Sequence, residues 1–219
     1  MPTFATRMSH IQKSFIREIL KVTQNPNVIS FAGGLPNPAY FPVEEIAVAT
    51  DKALQLHGRQ MLQYSPTLGY STLRELISQR YAQVYDLTID PALILIVIGS
   101  QQALDLIGKI MLDEGDKLLL EAPSYLGAVQ SLSLFQPQFV TVPLTEAGIN
   151  TAVFQAQLQR HQPKLFYAVT TFQNPTGISY SETIRRDVAK LLNQSDTLYV
   201  EDNPYAELRI SGEPQPPHR

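Results

Sequence analysis

Four short polar stretches in this chain each follow an apolar run, and their residue types can do chemistry together. In "YVEDNPY" the run ends in Glu201-Asp202, followed by Asn203-Pro204-Tyr205. A carboxylate held at the end of a buried strand can pair with a protonated ring nitrogen, and the pairing keeps the carboxylate ionised. Neighbouring strand residues face opposite sides. Only one of Glu201 and Asp202 can therefore face a ligand, and the other faces a helix or solvent. In "TTFQNPTGIS", Pro175 pushes the backbone of Asn174 toward an extended conformation. Thr176-Gly177 completes a turn that holds out an amide able to donate and accept. In "EAPSYLGA", Tyr125 lies just past a strand, where its ring either lies flat on an aromatic ligand or packs under its own helix. In "IGSQQALDL", one glycine separates strand from helix and Ser100 reads as the N-cap. The N–H groups of Ser100, Gln101 and Gln102 then point out of the helix start, a geometry that suits a phosphate and equally an ordinary capped helix.

The elements that must position these residues follow from periodicity. "SHIQKSFIREILKVTQ" has helical spacing at Ile11, Phe15, Ile16, Ile19, Leu20 and Val22. "NPNVISFAGGLPNPAYFP" is dense in Pro and Gly and reads as an extended, turning segment. "VEEIAVATDKALQLHG" reads as a helix closed by Gly58, and "YSPTLGYSTLRELISQRYAQVY" as a loop followed by a helix. From residue 93 the rhythm changes. "LILIVIG", "KLLLEAP", "QFVTVPL", "KLFYAVTTF" and "TLYVED" read as strands. "SQQALDLIGKIML", "SYLGAVQSLSLF", "NTAVFQAQLQRH" and "SETIRRDVAKLLNQ" read as the helices between them. Continuously apolar strands alternating with helices predict an α/β fold with a predominantly parallel sheet flanked by helices. Ligands in such sheets sit beyond the carboxyl ends of the strands, which is where the four polar stretches fall.

Composition narrows the class. The 219 residues are 44% hydrophobic and 17% charged, which suits a globular chain with a sizeable core rather than a disordered one. A net charge of −3 gives no basic excess for nucleic acid or anionic lipid. The chain has no cysteine, which excludes disulfides and thiolate metal sites and fits a cytoplasmic location. His10, His57, His161 and His218 show no ligand spacing, so no metal site is expected. The N-terminus lacks the apolar core of a secretory signal, and the longest apolar run is too short to span a membrane as a helix.

Several stretches, in order, resemble the class I/II aminotransferases that depend on pyridoxal phosphate and share fold type I: "SFIREILKVTQNPNVISFAGGLPNPAYFPVEEI", "LQYSPTLGYSTLREL", "GSQQALDL", "DEGDKLLLEAPSYLGA" and "FQNPTG". The branch they are most similar to contains the 2-aminoadipate and kynurenine-type aminotransferases. The aminotransferase-like domains of some bacterial transcription regulators are similar too. The resemblance implies an N-terminal helical and extended arm over 1–58, a partial cofactor-binding large domain over 59–210 and a polar tail over 211–219, with the C-terminal small domain absent. It implies that Ser100 and Gln101 hold the cofactor phosphate and that Tyr125 stacks on the pyridine ring. Asn174 and Tyr205 would bond the ring's phenolic oxygen, and Asp202 the ring nitrogen. Tyr64 would reach across a homodimer interface to the partner's cofactor phosphate. Gly34 and Asn174 would lie on the substrate side. Arg17 would meet a substrate carboxylate, unless it is a solvated helix arginine. The partners implied are an amino acid and a 2-oxo acid.

The family's chemistry also needs a lysine C-terminal to the Asp202 position, in a serine-rich motif, to form the Schiff base and move the Cα proton. The lysines here are Lys13, Lys21, Lys52, Lys109, Lys117, Lys164 and Lys190, and none follows Asp202. The expectation is a cofactor-cradling half with no catalytic lysine of its own, inactive alone, exposing apolar surface and prone to associate. Two other readings stay open. One is a lyase or decarboxylase on the same scaffold. The other is a lysine-less, non-enzymatic remnant or a half that binds a partner carrying the rest.

Overall fold

The computed structural model describes residues 3–10, 28–29 and 34–213, and the chain divides into two units. Thr6–His10 forms a short 3-10 helix. The remainder of the first expected helix, and Arg17 with it, lies outside the described residues.

One unit takes in residues 12–78 and 90–96. Its main element is helix α1, Val43–Met61, with Glu44 and Glu45 in the first turn, where carboxylates suit the positive helix end. The helix does not stop at Gly58 as expected. A glycine inside a helix costs only about 1 kcal/mol relative to alanine, and the chain continues helical through Arg59-Gln60-Met61. The carbonyl of Gly58 accepts from the N–H of Leu62. Helix α2, Ser71–Tyr85, begins in this unit. Arg74 Nη1 donates to the Pro91 carbonyl at 2.9 Å.

The segment Leu93–Gly99, expected as a buried strand, is not one. Its backbone meets no neighbouring strand among the described residues. Ile94 N–H donates to Pro91 O at 3.2 Å and Ile96 N–H to Leu68 O at 3.0 Å, while Ile98 N–H donates to Gln102 Oε1 at 2.7 Å. Ile98 is 92% exposed. An apolar run predicts burial, but a ladder needs a partner strand.

The other unit, which includes residues 97–213, carries the sheet. Its strands are β1, Lys117–Ala122; β2, Gln138–Thr145; β3, Gly148–Ile149; β4, Leu165–Ala168; and β5, Leu198–Glu201. The order is β3-β2-β1-β4-β5. All neighbours are parallel except β2 and β3, which form a small hairpin around Glu146-Ala147. Helix α3, Ser100–Met111, leads into β1, and helices α4, Leu126–Ser133, α5, Thr151–His161, and α6, Glu182–Leu192, lie between later strands. Asn150 and Ser181 cap α5 and α6 by accepting from the N–H of Val153 at 3.1 Å and of Ile184 at 3.3 Å, as short polar side chains do at helix starts. The predominantly parallel α/β architecture expected from the sequence is the one observed.

Strand parity assigns the two faces of the sheet. Leu118, Leu120, Leu165, Tyr167 and Val169 pack with Leu104 of α3 and Ala128 and Leu132 of α4. Leu119, Val142, Phe166 and Ala168 pack with Phe154 of α5 and Val188 of α6. Phe166 lies between the rings of Phe154 and Tyr199, with centroids at 4.8 and 5.3 Å. Each such fully buried side chain contributes about 1.5–3 kcal/mol from burial. No helix among the described residues is long and apolar enough to cross a membrane.

Candidate functional site

From β1 the chain steps to β2 on one side of the sheet, and from β4 it steps to β5 on the other. The order reverses between β1 and β4, and ligands of open parallel sheets bind at such a reversal, beyond the strand ends. The residues that follow β1, β4 and β5 supply the polar side chains of this edge.

Glu201 and Asp202 point to opposite faces, as strand alternation requires. Asp202 turns to the α3/α4 face, where Oδ2 accepts a 2.8 Å hydrogen bond from the Tyr167 hydroxyl. Oδ1 has no partner among the described residues. Burial raises the pKa of Asp202 above the ordinary value, and the Tyr167 hydrogen bond opposes that rise. Burial and the neighbouring Asp202 both push the Tyr167 phenol upward. Glu201 turns to the other face and accepts from Thr170 and from Arg185 Nη1, the latter at 3.2 Å.

Asn174 follows β4 in a turn whose Asn174-Pro175 peptide bond is cis. Its Nδ2 donates to the Tyr205 hydroxyl at 3.2 Å, so two predicted site residues separated by 31 positions meet. Both line a cavity of about 550 Å³ with Phe172, Pro175, Gly177 and Leu208.

Ser100 is the first helical residue of α3 rather than its cap. The cap is Gly99, at φ +84°, a conformation glycine adopts without strain. Its carbonyl accepts from the N–H groups of Gln102 and Ala103. The outward N–H groups are therefore those of Ser100 and Gln101, and Gln102 is not among them. Gly127 brings this helix start together with Tyr125. A Cβ there would stand 2.5 Å from Tyr125 Cζ and 2.6 Å from Gln101 Nε2. Tyr125 and Tyr205 both pack on the apolar cluster that contains Tyr167.

Gly34 and Tyr64 belong to the unit of residues 12–78 and 90–96. Gly34 adopts φ +56° with open space where a Cβ would be, and the Tyr64 side chain is 99% exposed.

Sequence reasoning gave no role to Tyr167, Glu121, Gln173, Arg185 or Gly127. Two signals mark them. Tyr167 has the strand parity that matches Asp202. Glu121 closes a buried apolar run, the feature that singled out Asp202. Glu121 is 1% exposed and accepts from Tyr180 Oη at 2.7 Å, Gln173 Nε2 at 3.1 Å and Val169 N–H at 3.2 Å. Burial pushes its carboxyl up to about 7, against the three hydrogen bonds. Arg185 donates to Tyr180 O, Thr170 O, Thr171 Oγ1 and Glu201.

The donor set and the steric cradle fit a flat, charged aromatic group bearing an anion. A carboxylate, an amide beside a phenol, a ring and two outward N–H groups stand on one sheet edge, and Gly127 is the residue that a side chain would block.

Comparison with known proteins identifies the family. The family model described as aminotransferase class I and II matches residues 27–216. An aromatic-amino-acid aminotransferase of Thermococcus litoralis is 42% identical over 98% of this chain and 52% of its own length. A 2-aminoadipate transaminase of Thermus thermophilus is 44% identical over 94% of this chain and 50% of its own. The crystal structure of a Pyrococcus horikoshii kynurenine aminotransferase, solved with PMP, superposes with a TM-score of 0.89 at 37% identity, covering 97% of this chain and 54% of that one. The chain thus spans about half the length of the relatives it matches. It belongs to the class I and II aminotransferases.

Proposed function

We propose that this chain supplies the cofactor-cradling half of a pyridoxal-phosphate-dependent amino-acid aminotransferase, which moves an amino group from an amino acid to a 2-oxo acid. The observation that carries the reading is the Asp202 carboxylate, held at the sheet edge by Tyr167 on the edge that also carries the Asn174–Tyr205 pair. When bound, the cofactor supplies an electron-accepting pyridinium ring. Asp202 holds the ring-nitrogen proton. Asn174 and Tyr205 bond the ring oxygen, Tyr125 covers the ring face, and the N–H groups of Ser100 and Gln101 meet the phosphate. Gly34 and Arg17 serve the substrate side, and the substrate class is that of the relatives, 2-aminoadipate-like or aromatic. Tyr64 meets the cofactor of a second subunit in a homodimer, and its exposure supports that role. A cytoplasmic location belongs to the same reading.

No lysine follows Asp202 in this sequence. The reading therefore assigns the chain binding and orientation, and assigns proton transfer at the substrate carbon to a lysine outside it. The test is to titrate the chain with pyridoxamine 5′-phosphate and with phosphate-free pyridoxamine, then to treat a pyridoxal phosphate mixture with borohydride. Saturable binding that needs the phosphate, with no adduct on a specific lysine, is expected. Equal affinity for the two amines, or one specifically trapped lysine, contradicts the reading.

A further inference from the structure

We propose that Glu121 is a positioning residue for Asn174, acting through Gln173 and the turn of residues 173–177. The inference rests on the proposed function only in taking Asn174 as a binding group.

One carboxylate touches this turn at its entrance, middle and exit. It accepts from the N–H of Val169 at the end of β4, from the side chain of Gln173 and from the hydroxyl of Tyr180. Tyr180 in turn closes the base of the loop, its N–H donating to Thr170 O at 2.9 Å. Gln173, 1% exposed, passes the constraint on. Its Nε2 also donates to Pro123 O at 2.8 Å. Its Oε1 accepts from Thr176 N–H at 3.1 Å and from Thr176 Oγ1 at 2.7 Å. Its backbone accepts from Gly177 N–H at 2.5 Å and donates to Ile178 O at 2.8 Å. Every polar atom of the residue before Asn174 is fixed, and Glu121 is the charged group beneath it.

An apolar residue in place of Glu121 would leave three buried donors facing no acceptor, which a tightly packed interior does not tolerate without rearrangement. A glutamine keeps an acceptor oxygen for Val169 and Gln173 and turns its amide to the Tyr180 oxygen. The titratable groups that feel Glu121 are Tyr180, Tyr167 on β4 and Tyr199 on β5, all raised chiefly by burial. Arg185 of α6 bonds Tyr180 O at 3.1 Å and opposes the rise at the Tyr180 phenol.

The test compares the full chain with Glu121→Gln and Glu121→Leu by amide hydrogen exchange and by ¹H–¹⁵N spectra. In Glu121→Leu, exchange of Thr176 and Gly177 accelerates by about tenfold or more, while β1–β2 amides hold. In Glu121→Gln the turn keeps its protection. In the unmodified chain, Val169 N–H and the side-chain amides of Gln173 and Asn174 shift together as Glu121 titrates. The affinity for pyridoxamine 5′-phosphate falls about tenfold in the leucine variant and recovers in the glutamine variant. Unchanged Thr176 and Gly177 exchange in Glu121→Leu overturns the proposal. Should that variant not fold, an Asn174 amide that stays flat while Val169 titrates overturns it. If the unmodified chain fails to bind pyridoxamine 5′-phosphate, the functional reading falls, and the exchange data still decide the role of Glu121.

Discussion

Tyr167 Oη lies 2.8 Å from Asp202 Oδ2 and fixes one oxygen of the carboxylate while the other stays available. Tyr167 lies on β4 and Asp202 directly follows the parallel neighbour β5, with the Asp202 N–H bonded to Ala168 O at 2.9 Å, so the sheet itself sets the aim of the acid. Replacing Tyr167 with phenylalanine removes a hydrogen bond that lowers the Asp202 pKa. The Asp202 carboxyl then titrates at higher pH than in the unmodified chain, and stability at neutral pH drops by about 1–3 kcal/mol. Carbon-13 NMR titration of the carboxyl and urea unfolding at pH 7 check both. An Asp202 titration that does not move refutes the pairing.

Glu121 makes stability depend on pH with a definite sign. Its folded value, about 7, lies above its ordinary 4.5. Its protonated form therefore stabilises the fold below pH 4.5, and that contribution is lost as pH rises through 7. The change is roughly 3 kcal/mol across this window, at 1.4 kcal/mol per unit. Urea midpoints at pH 5 and pH 8 should separate more in the unmodified chain than in Glu121→Gln. Equal separations refute the assignment.

Arg185 is 4% exposed and donates to Thr170 O, Thr171 Oγ1 and Glu201, which ties α6 to the residues after β4 and to the end of β5. Arg185→Met leaves the Glu201 carboxylate without this cation and should cost about 3–5 kcal/mol. The double replacement Arg185→Met with Glu201→Leu should recover part of the loss, because removing both charges avoids an unpaired buried ion. Urea unfolding of the single and double variants measures this, and a single variant within 1 kcal/mol of the unmodified chain contradicts it.

Gly127→Ala places a methyl against Tyr125 and Gln101. The gain in helix propensity, about 1 kcal/mol, offsets part of an overpacking cost of about 1–3 kcal/mol. Stability should therefore change little, while affinity for pyridoxamine 5′-phosphate falls. Thermal melting and ligand titration together test the separation of the two effects, and an unchanged affinity refutes the cradle.

Much of this was legible in the sequence, and the failures have physical causes. Alternation alone separated Glu201 from Asp202, because strand geometry leaves no other arrangement. "NPTG" after an apolar run placed Asn174 on the ligand edge, because parallel strands put their carboxyl ends together. The "LILIVIG" run failed because hydrophobicity reports burial and cannot supply a hydrogen-bonding neighbour. The Ser100 cap failed because Gly99 takes the positive φ at the junction, and its carbonyl starts the helix one residue earlier. Tyr167 and Glu121 stayed hidden because their roles arise from pairings across the sheet, 35 and 59 residues away in sequence.

We propose Asp202 as the ring-nitrogen partner of a bound pyridoxal cofactor. The most direct measurement is the binding of pyridoxamine 5′-phosphate to the unmodified chain and to Asp202→Asn, followed by isothermal titration and by the ring's absorbance across pH. Affinity should be weaker by about tenfold or more in Asp202→Asn, with the bound ring nitrogen losing its proton at lower pH than in the unmodified chain. Equal affinities and identical ring titrations in the two proteins would contradict it.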